Sequence, residues 1–180
     1  MVEYPLITDR LSVRPLGLGD LETFVGYRQD PEVARYQSWS PDYSQTQGRE
    51  LIDGQKNQTF PVPGDWLQLG IHLLDSNQLI GDLALHNVEG EMECFEIGFT
   101  LATSFQGMGY AREAASALVS NLESEHGVRR LIASTDARNL SSISLLNHLG
   151  FAHDPNRDWE EFFKGEDVKV LFFEKLISNS

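Results

Sequence analysis

The residues with the clearest chemistry are Gln106-Gly107-Met108-Gly109-Tyr110-Ala111. Two glycines at the entrance of a helix allow a tight turn and let a ligand come close to the main chain. The first N–H groups of a helix have no partner within it, and the positive end of the helix dipole points at them. Such an entrance is a socket for phosphate oxygens. The flanking residues narrow the kind of phosphate compound. A P-loop ends in Lys and Ser or Thr, where this chain has Arg112-Glu113. A dinucleotide fingerprint would put a third glycine at Arg112 and would lie in an early βαβ unit. Neither pattern is met.

The elements that must hold this turn can be read on either side of it. Ala111, Ala114, Ala115, Leu118, Val119 and Leu122 follow the three- and four-residue steps of one helical stripe. Upstream, residues Met92 to Leu101 predict a strand. Before that, Leu67, Leu69, Ile71 and Leu73 alternate with polar or small residues from Trp66, and Asp75-Ser76-Asn77 turns into Leu79 to His86, a hairpin. Toward the start, Leu11 to Pro15 predicts a short strand. Leu18 to Gln29 predicts a helix capped by Asp20 and broken at Asp30-Pro31. Ser44 and Gln47 form a capping-box pattern for a further helix, and Pro61, Pro63 and Gly64 mark a loop. Downstream come a strand over Arg130 to Thr135, a helix over about Ser141 to His148 and a weak strand over Trp159 to Phe163. A last strand covers Val168 to Glu174. Mixed strands with helices on both faces of one sheet follow from this order, and nothing divides the 180 residues into more than one domain.

A second constellation lies in residues 136–151, DARNLSSISLLNHLGF. Singly, Asn139 is a cap or loop residue and Gly150 an ordinary helix C-cap. Together with Gln106, Gly109 and Ala111, which fill the pattern Gln/Arg-x-x-Gly-x-Gly/Ala, the set of Asn139, Ser142 and Gly150-Phe151 resembles the GCN5-related N-acetyltransferases (GNATs). Asp30-Pro31-Glu32-Val33 and Phe163-Lys164-Gly165-Glu166 are similar to the branch related to the ribosomal-protein N-terminal acetyltransferases. The resemblance runs from about Leu6 to Leu176 and is strongest over residues 94–151.

That resemblance implies an α/β (α+β) fold with a mixed central sheet of about six to seven strands, helices on both faces and splayed central parallel strands. It implies acetyl-CoA as co-substrate. The pantetheine arm would lie along Phe99, Thr100 and Leu101 and pair with backbone groups freed by a bulge. The pyrophosphate would sit on the loop of Gln106, Gly107, Met108, Gly109, Tyr110 and Ala111, with Arg112 either adding charge or standing in solvent. Asn139 would hydrogen-bond the pantetheine. Many members carry a tyrosine acid where this chain has Leu146, which has no proton to give. Ser142, the serine of the second signature, would hydrogen-bond the leaving sulfur; its other reading is a residue that caps or back-bonds its own helix.

Transfer of an acetyl group to an amine requires a neutral amine, a polarised carbonyl and a protonated leaving thiol. A lysine-type amine, with a pKa of about 10.4, needs a base more than an α-amine of about 7.7–8.0. Glu96, on the strand leading to the loop, is the candidate base; the alternative is an exposed strand carboxylate. His72 and His86 are weaker candidates, since a strand histidine is more often structural. Glu160 and Glu161, with Tyr36, Trp39 and Trp159, are candidates for the acceptor pocket.

The net charge of −13 argues against a nucleic-acid partner and is compatible with a cationic substrate or simply with solubility. No signal peptide or membrane-length apolar run is legible, and the single Cys94 fits a cytoplasmic setting. Five histidines and one cysteine show no metal-ligand spacing. The expectation is an acetyl-CoA-dependent N-acetyltransferase acting on a primary amine of a protein N-terminus or small molecule, possible as a homodimer. The alternative is an acyl-CoA-binding sensor that has lost turnover.

Overall fold

A computed structural model describes residues 3–124 and 127–177. The elements are β1 (Leu6–Ile7), β2 (Leu11–Pro15), α1 (Leu21–Arg28), α2 (Pro31–Ala34), α3 (Gln45–Gly54), β3 (Trp66–Leu73), β4 (Leu79–Asn87), β5 (Cys94–Leu101), α4 (Tyr110–Ser124), β6 (Arg130–Asp136), α5 (Leu140–His148), β7 (Ala152–His153), β8 (Trp159–Phe163) and β9 (Glu166–Leu176). The strands form one mixed sheet in the order β1-β2-β3-β4-β5-β6-β9-β7, with β8 also on β9. Among the described residues nine strands exceed the six or seven expected; β1 and β7 have two residues each, too short to show a period of two.

Both faces of the sheet are covered. Leu67, Leu69, Leu83, Leu85, Phe95, Leu131 and Phe173 meet the stripe Ala114, Ala115, Leu118 and Leu122 of α4 and Leu146 of α5. On the other face Leu16 and Leu79 pack against Phe24, Val25, Val33, Tyr43 and Ile52 from the α1–α3 region. A buried ionic cluster ties that region down. Arg28 Nη2 lies 3.2 Å from Asp82 Oδ2 on β4, and the Tyr27 hydroxyl donates to Asp82. Burial pushes both the Asp82 carboxyl and the Tyr27 phenol above their usual ranges. The Arg28 guanidinium stacks at 3.7 Å from the Trp39 ring centre and 4.2 Å from that of Phe24.

Three local expectations are corrected. Asp20 does not cap α1 with its side chain; it accepts from Gly17 N at 2.9 Å and contacts His72 Nε2 at 2.8 Å. This contact occupies the wholly buried His72 and makes it structural. Asp30-Pro31 ends one helix and starts another: Asp30 accepts from Glu32 N, and Pro31 stands in the first turn of α2. The strand read from Met92 begins at Cys94.

Gly81 is where β4 and β5 close on each other. A Cβ there would come within 2.2 Å of Thr100 O and 2.9 Å of Leu101 Cα. Gly81→Ala is expected to displace the end of β5 and to destabilise the fold by at least about 2 kcal/mol, read by chemical denaturation. A wild-type midpoint would show that the strand end yields freely.

Candidate active site

Among the described residues every strand pairing is antiparallel except that of β5 with β6. This parallel pair holds only over Cys94–Arg130, Phe95–Leu131 and Glu96–Ile132. Beyond Glu96, β5 stays on β4 as far as Leu101, and β6 stays on β9 as far as Asp136. The two strands therefore part. The opening is not a bulge, which corrects the expectation; the register shift recorded in the sheet lies between β3 and β4, at Ile71/His72. Phe99 O is approached by Gln37 Nε2 at 3.5 Å, and Leu101 O accepts from Gln106 Nε2 at 3.0 Å. Backbone polar groups alternate along a strand, so Phe99 and Leu101 face the opening while Thr100 faces β4.

The opening leads into a cleft of about 850 Å³. Phe99, Thr100 and Leu101 line one wall; Gln106, Gly107, Gly109, Tyr110, Ala111 and Arg112 line the next; Asn139 and Ser142 complete it. Met108 does not line the cleft. Its side chain is exposed, and its carbonyl accepts from Arg10 Nη1 at 3.1 Å.

The loop before α4 turns through Gly107 and Gly109 at φ of 74° and 82°, the left-handed region where a side chain is strained. The helical bond Glu113 N to Gly109 O, at 3.0 Å, leaves the preceding amides of α4 without helical partners, and they border the cleft. Glu113 would oppose an anion there, but it is occupied: it receives Thr8 Oγ1 at 2.6 Å and Arg10 Nε at 2.7 Å. Burial works to raise its pKa, yet the hydrogen bonds from Thr8 and Arg10 outweigh that and hold the carboxyl below its usual range. Arg35 and Arg112 also line the cleft, so their cationic side chains add to the helix terminus.

A second helix points its N-terminus at the same space. Asn139 Oδ1 caps α5 by accepting from Ser142 N at 3.2 Å, which leaves its amide NH2 to donate elsewhere. Ser142 Oγ neither caps nor back-bonds a helix and has no hydrogen-bond partner among the described residues. Leu146 is fully buried in the core and presents nothing to the cleft.

Glu96 stands where the strands begin to part, outside the cleft wall. Its carboxylate is 3.5 Å from Ser134 Oγ and 3.5 Å from His86 Nδ1. Ser134 lines a smaller pocket of about 210 Å³ with Tyr36, Asp136, Trp159, Glu161 and Phe163. Tyr36 belongs to both cavities. Of the expected acceptor residues, Trp39 instead packs on Arg28, while Glu160 lies outside both cavities. Asp136 is held by Arg138, whose Nε and Nη2 donate at 2.9 and 2.6 Å; these bonds lower its pKa.

Sequence reasoning put Tyr36 at the acceptor pocket but missed the wall that Glu32, Val33, Arg35 and Gln37 form with it. Its signal was the Asp30-Pro31 pair, a helix start. Lys164, at the β8–β9 turn, donates to Ala34 O and Trp39 O at 2.5 and 2.6 Å and ties that wall to the hairpin. Burial lowers the Lys164 pKa. Among the described residues no group of three or more His, Cys, Asp or Glu could hold a metal ion, and no helix is long and apolar enough to cross a membrane.

An open parallel pair with two helix N-termini beside it places unpaired backbone groups and the positive ends of two helix dipoles around one cleft. A family profile described as an acetyltransferase (GNAT) domain matches residues 10–152. The uncharacterized N-acetyltransferase p20 of Bacillus licheniformis is 30% identical over 172 residues, covering 95% of each chain. RimL, a ribosomal L7/L12 alpha-N-protein acetyltransferase solved with coenzyme A, shares the fold at a TM-score of 0.81 and 19% identity, covering 97% of this chain and 98% of that one. A spermidine N-acetyltransferase from Vibrio cholerae, solved with CoA and spermine, does so at 0.80 and 18%, covering 94% and 97%. The chain belongs to the GNAT family and is an N-acetyltransferase of that family.

Arg10 braces the glycine turn from outside the cleft, through Met108 O and Glu113. Arg10→Ala is expected to raise the Kd for CoA about tenfold, or about 1.4 kcal/mol, in calorimetric titration. An unchanged Kd would show that the turn keeps its shape unaided.

Proposed function

We propose that the protein transfers the acetyl group of acetyl-CoA to a primary amine by direct attack. The observation that carries this reading is the meeting, in one cleft, of the unpaired edge of β5 with the N-terminal ends of α4 and α5. Acetyl-CoA matches both features: its pantetheine arm carries amides that can pair with Phe99 and Leu101, and its pyrophosphate suits the amides and cations around Gly107 to Arg112. The Asn139 amide is free to donate to the same arm.

The amine comes from the smaller pocket, between Tyr36, the C-terminal end of β6 and the β8–β9 hairpin. Glu96, close to Ser134 at the margin of that pocket, takes a proton from the amine. The amine nitrogen then attacks the thioester carbonyl carbon, and collapse of the tetrahedral intermediate breaks the C–S bond. Ser142, whose hydroxyl has no competing protein partner, donates a hydrogen bond to the departing sulfur. The neighbours that act on a ribosomal-protein α-amine and on spermidine share a primary amine as acceptor. The acceptor is accordingly a primary amine, on a protein N-terminus or on a small molecule.

Glu96→Gln is expected to lower kcat about 100-fold, and Ser142→Ala about tenfold, with the Kd for acetyl-CoA unchanged in both. The check is thiol release from acetyl-CoA against a panel of peptides and polyamines. Wild-type protein that binds acetyl-CoA yet releases no thiol with any amine would instead support a sensor without turnover. A Glu96→Gln variant at the wild-type rate would remove Glu96 from the mechanism.

A further inference from the structure

The register of the β3–β4–β5 meander lines up Trp66, His86 and Glu96 across three strands. The Trp66 indole stacks on the His86 imidazole with centroids 4.5 Å apart and planes 7° from parallel. The stack holds the ring on one face and aims its Nδ1 edge at Glu96 Oε2, 3.5 Å away. His86 Nδ1 is buried and has no hydrogen-bond partner among the described residues. A buried acceptor nitrogen without a partner is costly, and the Glu96 carboxyl is the group beside it that can supply a proton once it has taken one. The ring as a whole keeps 19% of its surface exposed, and Nε2 is not among the buried, unpartnered atoms. One nitrogen therefore faces the carboxylate while the opposite one reaches water.

Packing does not account for a histidine at this position. The apolar cluster on this side of the sheet is made by Cys94, Ile132 and Phe172, with Val88 against it. From β5, Glu96 is the charged group that faces the ring; from β3, the neighbour is the uncharged Trp66. The next charged side chain along the sheet is Arg130 of β6, occupied by Glu91 at 2.5 Å and Glu174 at 4.0 Å. His86 and Glu96 thus face each other without a third charged partner within ion-pair distance among the described residues.

We propose that His86 carries the acceptor's proton from Glu96 to solvent. This rests on the reading of Glu96 as the base. Acetylation of an ammonium acceptor yields an amide, CoA thiol and one net proton, so a glutamate base must be emptied in every cycle. The amine gives its proton to a Glu96 oxygen. The protonated Glu96 passes it to His86 Nδ1, giving an imidazolium, and the imidazolium releases its Nε2 proton to water. The ring, now in the other tautomer, is reset by a half-turn about its Cβ–Cγ bond, which keeps its plane against Trp66 and carries the Nδ1 proton away from Glu96 to water, while Nε2 takes a proton back from water. Charge and protons balance without a further reagent. His86 does not touch the substrate in this scheme; it acts through Glu96, and Trp66 fixes the plane of its ring.

The test is chemical rescue. In His86→Gln, kcat is expected to fall about tenfold, with the KM and calorimetric Kd for acetyl-CoA unchanged. The lost rate should return as imidazole is added at constant pH and ionic strength, while the wild type does not respond. His86→Asn, a smaller amide beneath the Trp66 ring, should behave alike and covers the case in which the longer side chain disturbs the stack. A wild-type rate in both variants overturns the proposal, and so does a loss that imidazole fails to restore in variants that still bind acetyl-CoA. Glu96→Gln separates the two readings. A rate that is low and indifferent to imidazole upholds the base, whereas a wild-type rate removes the base and the relay with it.

Discussion

The interruption of hydrogen bonding between β5 and β6 after Glu96 and Ile132 is the constraint on which the rest of the structure turns. A parallel pair inside a sheet normally satisfies its backbone groups along its whole length, because buried N–H and C=O groups left unpaired are expensive. Here β5 keeps its partner on the β4 side and β6 keeps its partner on the β9 side, so neither strand can move to close the gap. The cost falls on the free edge at Phe99 and Leu101, which Gln37 and Gln106 meet only in part. A ligand with amides of its own can do the remainder.

The second requirement is that the opening be walled. The α4 and α5 termini form one side, fixed by the stripe of α4 against the sheet and by Arg10 on Glu113 and Met108. The other side is the segment around Tyr36 and Gln37. It hangs from Arg28, whose charge is matched by Asp82 and covered by Trp39 and Phe24, and it is tied to the β8–β9 turn by Lys164. Removing one member of such a buried pair usually costs about 3–5 kcal/mol, since the other charge is left unpaired. The cluster therefore does more to fix the position of a loop than to raise net stability. It is what sets Tyr36 between the two cavities.

Much of this was legible in the sequence where a residue type has few uses. Glycines at 107 and 109 before a regular apolar stripe indicated the α4 entrance, and the structure places both at positive φ beside the cleft. Ser44 and Gln47 form the capping box that their spacing indicated. What escaped the sequence depends on partners distant in the chain. Arg28 is an ordinary helical arginine until Asp82, on another element, meets it. Lys164 is an ordinary turn residue until two carbonyls from residues 34 and 39 close on it. Asp30-Pro31 was read for the helix it ends and not for the helix it starts, and the wall of the cleft was lost with that choice. The facing of His86 and Glu96 is likewise a matter of strand register, which periodicity leaves open.

Amide hydrogen exchange with and without acetyl-CoA tests the central claim most directly, since it reads the free strand edge and the helix termini separately. The amides of Phe99 and Leu101 and those from Gly107 to Arg112 are expected to slow on addition of acetyl-CoA, while that of Thr100, already directed at β4, changes little. ATP at the same concentration should protect at most the second group. Protection confined to the loop, or none at either place, would contradict a cleft in which the open edge of β5 receives the pantetheine arm.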